Sequence, residues 1–291
     1  MIKYDEPLFR PPSEAESLII QATLGCSHNQ CTFCSMYKTK SYVERSFEDI
    51  SADIESMASF SEVRRVFIAD GDAMELDTSL LLKIIKKLKV TFPHLRRISI
   101  YANSGNILKK TDEELQSLKA GGLSLIYLGF ESGSDFILKK VRKGASSEDH
   151  RMAVLRVMAA GIDVSATIVT GLGGKENWEE HIRESAELVN KTVPKFLSTL
   201  SLMITSDCRE RFLSAFENGL TLRDDRGMLE EERLLISLID TPKNIIFRSN
   251  HASNALALRG ELPRDRSLLI EQIDQALNGD GKMRPDWMRG F

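Results

Sequence analysis

Three of the chain's four cysteines fall close together, at Cys26, Cys31 and Cys34 in "TLGCSHNQCTFCSMYK" (23–38), with the spacing C-x4-C-x2-C. A loop carrying thiols at those intervals can wrap a compact metal centre without help from distant sequence. Three chemistries compete for it. A structural zinc site closes with four ligands, so His28 or the distant Cys208 would have to complete it. An electron-transfer iron–sulfur cluster of the usual kind also takes four thiolates. A four-iron cluster on three cysteines leaves one iron open to an exogenous ligand, and an open position is the mark of a catalytic metal site.

The elements around the loop must explain why it sits where a site can form. "SLIIQAT" (17–23) reads as a buried strand directly before the cysteines. "RRVFIAD" (64–70), "RRISIYA" (96–102), "SLIYLGF" (124–130), "IDVSATIVTG" (162–171) and "FLSTLSLMI" (196–204) read as five more. Helical segments alternate with them. Ser46 is the expected N-cap of one that carries Ile50, Ile54 and Met57 on one face, and "TSLLLKIIKKLK" (78–89) is amphipathic. Thr111 and Glu114 form a capping box for a third, which stops at a glycine. Further helices are expected near 147–160 and from Asn177 to about Asn190.

Six strand–helix alternations imply an α/β fold with a parallel sheet, open or closed into a barrel. Ligands in such folds bind beyond the C-terminal ends of the strands, and the cysteine loop leaves the first strand at that end. Beyond about residue 205 the sequence becomes helical and charged, with one strand-like piece, "NIIFRS", and a tail, "GKMRPDWMRGF", expected at the surface.

At 291 residues, 42% hydrophobic and 28% charged, the composition is that of an ordinary globular protein. A net charge of −3 gives no global basic surface for nucleic acid. No apolar run approaches the ~20 residues of a membrane span, and "MIKYDEPLFRPPSEAE" lacks the pattern of an export signal. The expected compartment is the cytoplasm, where clustered thiols serve as ligands or redox groups rather than disulfides.

The three cysteines, the aromatic Phe33 between the last two, and the (βα)6 pattern resemble the radical S-adenosylmethionine (SAM) superfamily. The resemblance covers roughly residues 15–205. It implies a partial (βα)6 TIM-type barrel with a mostly helical C-terminal extension, hence a core domain over 1–205 and an extension over 206–291 on the substrate side. It also implies a [4Fe-4S] cluster on Cys26, Cys31 and Cys34 whose open iron chelates SAM. An electron from the cluster then breaks the S–C5′ bond to give a 5′-deoxyadenosyl radical. A low-potential electron donor of the flavodoxin or ferredoxin type, oxygen-free conditions and an unidentified substrate follow from the same likeness.

Further residues carry it. "ADGDAMELD" (69–77) follows strand two where the family receives the SAM amino group, which marks Asp70, Gly71 and Asp72. "YLGFESGSDFILKKVRKG" (127–144) is similar to the fourth-strand signature of the subgroup that includes oxygen-independent coproporphyrinogen oxidases and tRNA methylthiotransferases, and puts Glu131 near SAM. "VSATIVTGLGG" (164–174) resembles the fifth-strand motif that flanks adenine, which marks Val169, Gly171 and Leu172. The superfamily's usual spacing is C-x3-C-x2-C, so this loop is one residue longer.

Each of these has a plainer reading. Phe33 can pack under the loop rather than touch adenine. Asp70 and Asp72 flank a glycine as a solvated turn would. Glu131, at the end of an apolar strand, must be wet or paired. Lys139, Lys140, Arg142 and Lys143 can form a solvated face or steer an acidic group. Cys208 reads as a lone structural thiol. In "RSNHASNALALRGELP" (248–263), Ser253 and Asn254 read as helix caps and His251 as a candidate for substrate recognition. No residue stands out as the catalytic group for the step after radical formation. The rival class is a non-catalytic protein with zinc or an iron–sulfur cluster for structure or electron transfer.

Overall fold

The computed structural model describes residues 2–60, 62–217, 219–280 and 283–290. Main-sheet strands are β1 (Leu18–Gln21), β2 (Arg65–Ala69), β3 (Arg97–Ala102), β4 (Leu123–Glu131), β5 (Asp163–Thr170), β6 (Phe196–Ser201), β7 (Ile245–Ser249) and β8 (Leu258–Leu262). They form one mostly parallel eight-stranded sheet in chain order. With helices alternating along the chain, this is an α/β fold of the partial TIM-barrel type.

The chain divides into two compact units. The first comprises 1–29, 34–128 and 152–164. Within it β1, β2, β3 and the start of β4 pair in parallel register, for example Ile20↔Ile68 and Ile100↔Ile126. β2 is buried along Val66–Ala69, the near-continuous apolar run of a parallel strand covered on both faces. Helix α1 (Phe47–Ser56) starts where Ser46 accepts from the Asp49 amide, and it buries Ile50 and Ile54. Helix α2 (Thr78–Thr91) buries Leu81, Ile84, Ile85 and Leu88. A short α3 (Ser104–Lys109) precedes α4 (Asp112–Gly121), whose Thr111–Glu114 capping box is formed in both directions.

The second unit comprises 30–33, 129–151 and 165–291. Here β5, β6 and β7 are parallel, and β8 returns antiparallel on β7. Helices α5 (Asp135–Lys140), α7 (Gly174–Thr192), α8 (Ser206–Leu213), α9 (Asp225–Leu238) and α10 (Arg266–Asn278) belong to it, and α6 (Ser147–Ala159) runs from this unit into the first. Helix α9 packs against both α7 and α10.

The piece "NIIFRS" is β7, as its pattern predicts. β8 follows the residues in which the sequence suggests helix caps: Leu258 and Leu262 are buried while Arg259 is exposed, a strand alternation too short to stand out among polar neighbours. The tail exposes Trp287 and Met288 as expected, yet it is tied down. Arg289 pairs with both Asp225 oxygens at 2.7 and 2.8 Å, and the Arg284 amide donates to the Ala255 carbonyl. Gly281, Lys282 and Phe291 of that tail lie outside the described residues. No helix among the described residues is long and apolar enough to cross a membrane.

Candidate active site

The loop that leaves β1 is closed at its base by a small antiparallel pair, Thr23–Leu24 with Val43–Glu44. Cys26, Cys31 and Cys34 on that loop are half-buried and in no disulfide. Asp70, at the end of β2, fastens both ends of the loop. Its Oδ2 accepts from the Gly25 amide at 3.2 Å and from Lys40 Nζ at 2.9 Å. Lys40 also donates to the carbonyls of Asp5 and Pro7. The Asp70 side chain is wholly buried, and burial pushes its carboxyl above the usual carboxylate range against the pull of Lys40.

Gly71 continues the turn, its amide donating to the Gly25 carbonyl at 3.1 Å. A β-carbon at Gly71 would lie 2.4 Å from the Tyr37 ring, so only glycine lets the turn approach the cysteine loop this closely. Between the first two cysteines the loop makes a local turn. Asn29 takes a left-handed φ of +39°, which asparagine tolerates. Its Nδ2 donates to the Tyr37 carbonyl at 2.9 Å, and its own carbonyl accepts from Lys38.

Asp72 is also wholly buried, so neither aspartate of the turn is a solvated turn former. Asp72 Oδ2 accepts from Ser27, Asn103 and Asn106. Its Oδ1 is buried and has no hydrogen-bond partner among the described residues. Burial pushes this carboxyl up to about 6, against the donors on its other oxygen. An acceptor left unmatched beside Ser27, the neighbour of Cys26, calls for a donor from outside the chain.

In the second unit, the 30–33 segment is docked at Thr32. Its amide donates to the Val141 carbonyl at 2.9 Å, and its carbonyl accepts from Arg211 Nε at 3.2 Å. Arg211 Nη2 reaches Cys208 Sγ at 3.0 Å, so the buried fourth cysteine is engaged through an arginine that sequence reading passes over. Phe33 packs against a cluster containing Val169, Leu172, Ile137, Val141, Phe212 and Phe216. Three of the marked residues, Phe33, Val169 and Leu172, thus share one apolar cluster.

Glu131 ends β4 with a left-handed φ of +63°, and Lys143 reaches its Oε1 at 2.8 Å with both side chains nearly buried. The basic run therefore splits: Lys143 holds Glu131, and Lys140 pairs with exposed Glu217. Gly171 has a φ of +91°, and its amide donates to buried Glu231 at 2.7 Å.

His181, on the buried face of α7, is the main contributor that the sequence does not advertise. Its Nε2 lies 3.1 Å from the Val169 carbonyl and its Nδ1 2.7 Å from Ser132 Oγ. A carbonyl only accepts, so Nε2 carries the proton and Nδ1 accepts the serine hydroxyl. The Gly133 amide donates to Ser185 on the same helix. His181 and Ser185 so hold the turn after Glu131 and the end of β5 on one helix. Full burial pushes the His181 imidazole down to about 4, which keeps it neutral.

The segment 250–255 does not cap a helix. Asn254 brackets two strands: Nδ2 donates to the Thr199 carbonyl and Ser249 Oγ, and Oδ1 accepts from the Ser201 amide at 2.6 Å. His251 Nδ1 accepts from the Ser253 amide, leaving the ring half-buried at the C-terminal end of β7.

The donor set fits a cluster with a chelating ligand. Three cysteines outside any disulfide on one loop match, by donor type, a four-iron cluster held at three corners, and the orphaned Asp72 oxygen suits an ammonium donor. Among the described residues no three His, Cys, Asp or Glu side chains gather around a single point as one ion would require, so the fit rests on donor type and on that oxygen.

Residues 20–189 match the family model described as "Radical SAM superfamily". The tRNA-2-methylthio-N(6)-dimethylallyladenosine synthase of Alkalilimnicola ehrlichii is 26% identical over 202 residues, 62% of this chain and 42% of that protein. The 4'-phospho-dehydrooxetanocin synthase of Priestia megaterium is 28% identical over 172 residues, 51% of this chain and 22% of that protein. The chain thus spans less than half the length of these curated relatives. In fold it is similar to coproporphyrinogen III oxidase (HemN) from Escherichia coli, with a TM-score of 0.56 at 17% identity over 77% of this chain and 52% of that one. Methylornithine synthase (PylB) gives 0.50 at 17% identity over 92% and 83%. The family match spans more than half the chain and includes the cysteine loop, the β2 turn, Glu131 and the end of β5: this chain belongs to the radical SAM superfamily of enzymes.

Proposed function

We propose that the protein binds a [4Fe-4S] cluster through Cys26, Cys31 and Cys34 and SAM at its open iron, and generates a 5′-deoxyadenosyl radical. When bound, the cluster supplies the electron that breaks the S–C5′ bond of SAM. The observation that carries the reading is the buried, unpartnered Oδ1 of Asp72, on a turn that hydrogen-bonds to Gly25 beside Cys26.

Each part of the chain has a task in this reading. Asp72 accepts the SAM ammonium. Asp70 and Gly71 hold the cysteine loop at its entry, and Lys40 holds it at its exit. Glu131, held in place by Lys143, receives ribose hydroxyls or the amino group. Phe33, Val169 and Leu172 form an apolar wall for adenine, and Gly171 lets the backbone pass close to it. The wall excludes water, which protects a reactive radical. Residues 206–291 form the substrate side. A flavodoxin- or ferredoxin-type protein in an oxygen-poor cytoplasm supplies the electron. Closed four-thiolate sites are disfavoured because Cys208, the remaining cysteine, is buried in α8 with a guanidinium on its sulfur.

The test is anaerobic reconstitution with iron and sulfide, then incubation with SAM and dithionite. Release of 5′-deoxyadenosine, lost on replacing any of the three cysteines by alanine, supports the reading. A reconstituted protein that holds zinc and no iron, or that never cleaves SAM, refutes it.

A further inference from the structure

A cavity of about 70 Å³ lies wholly within the second unit, lined by Gly171, Leu202, Ile204, Leu222, Met228 and two arginines, Arg209 and Arg223. Gly171 directly follows β5 and Leu202 directly follows β6. The cavity therefore opens beyond the C-terminal strand ends, where parallel α/β folds bind ligands.

The two arginines differ in how they are held. Arg223 is nearly buried, 7% exposed, and its guanidinium lies 4.3 Å over the Trp178 ring. Glu230 pairs with it at 2.5 Å, and its Nε stands 3.3 Å from Glu231 Oε1 without either atom completing a hydrogen bond. Gly227 leaves the space it occupies, since a β-carbon there would sit 2.5 Å from Arg223 Nε. Arg209, by contrast, is solvent-exposed and has no acidic partner among the described residues. The Gly171 amide of the lining donates to buried Glu231, whose carboxyl burial pushes up to about 8, and Glu230 meets the charge of Arg223.

Two guanidiniums, one fixed and one free, thus face a small space whose remaining walls are mostly aliphatic. A planar carboxylate is the anion that a guanidinium fork receives through two parallel hydrogen bonds. At about 70 Å³ the cavity takes a small group such as a carboxylate. Leu202, Ile204, Leu222 and Met228 border the rest of it.

We propose that this cavity is a subsite for a carboxylate on an aliphatic stem, and that the enzyme's substrate is an organic acid anchored there by Arg209 and Arg223. The inference deepens the SAM reading given above and rests on it for the word substrate. The binding itself does not.

The test uses holoenzyme reconstituted with its cluster, in the presence of saturating SAM, and titrates propionate, propionamide and inorganic phosphate by ligand-observed NMR. Propionate binding that persists with SAM present, is weakened about tenfold or more in Arg209→Gln, and is absent for propionamide, supports the proposal. Arg223→Lys, which keeps the charge and loses the fork, should weaken it as well. Equal binding of propionamide, unchanged affinity in Arg209→Gln, or tighter binding of phosphate overturns it. Displacement of propionate by SAM also overturns it, because the carboxylate bound there would then be that of SAM. A preparation that fails to cleave SAM while still binding propionate through Arg209 defeats the radical reading and leaves the subsite standing.

Discussion

Asp70 and Lys40 form an ion pair at 2.9 Å that is 0% and 5% exposed, and it joins the end of β2 to the exit of the cysteine loop. Lys40 also pairs with the more exposed Asp5 at 2.9 Å, so losing the Asp70 charge should cost less than the about 3–5 kcal/mol of stranding a buried charge outright. Asp70→Asn should therefore lower the denaturant midpoint and reduce iron bound per chain after reconstitution severalfold. Adding Lys40→Met to it should recover part of the stability. Full iron content and unchanged stability in the single variant would show that the pair does not hold the loop.

Asp72 gives a pH prediction. Only its ionised form attracts the SAM ammonium, and its carboxyl sits at about 6 without ligand. SAM affinity should be flat above pH 7 and fall by up to about tenfold per pH unit below 6. Asp72→Asn should bind SAM weakly at every pH, with the slope abolished and iron content retained. Isothermal titration at several pH values measures both.

His181 predicts acid sensitivity of the fold. Its folded-state pKa is lowered from 6.5 to about 4, so between those values the unfolded chain binds more protons. Stability from keeping it neutral is complete above pH 6.5 and is lost as pH falls toward 4, by up to about 3 kcal/mol. His181→Gln should flatten that part of the stability curve while costing stability at pH 7. An identical pH profile in the variant would remove His181 from this role.

Glu131 and Lys143 should act as a pair in cofactor binding. Lys143→Met leaves the Glu131 carboxylate without this partner in a nearly dry place. SAM should then bind more weakly. Unchanged SAM affinity would mean that the pair only braces the turn after β4.

The cysteines, the strand–helix alternation and the capping box were legible because each is local: a spacing, a period or a four-residue box. The role of Asp70 was not. Asp–Gly–Asp reads as a wet turn until Gly25 and Lys40, 45 and 30 residues away, close over it. Nor was the left-handed backbone of Asn29 legible, since its partners Tyr37 and Lys38 lie eight and nine residues on. His181 stands on the apolar face of α7, and that position signals burial but does not name Ser132 or Val169. Arg211 and Arg223 looked like ordinary helical charge, because their partners Thr32 and Trp178 lie far off in sequence. Ser253 and Asn254 were the clearest misreading, for small polar residues serve equally to cap a helix or to bracket two strands.

The claim on which the rest depends is that one iron of the cluster has no protein ligand. Electron paramagnetic resonance of the anaerobically reconstituted, reduced protein, with and without SAM, tests it most directly. A [4Fe-4S] signal that changes shape when SAM is added, in wild type but much less in Asp72→Asn, is the predicted result. A signal indifferent to SAM, from a cluster with all four irons already held by side chains, would contradict it.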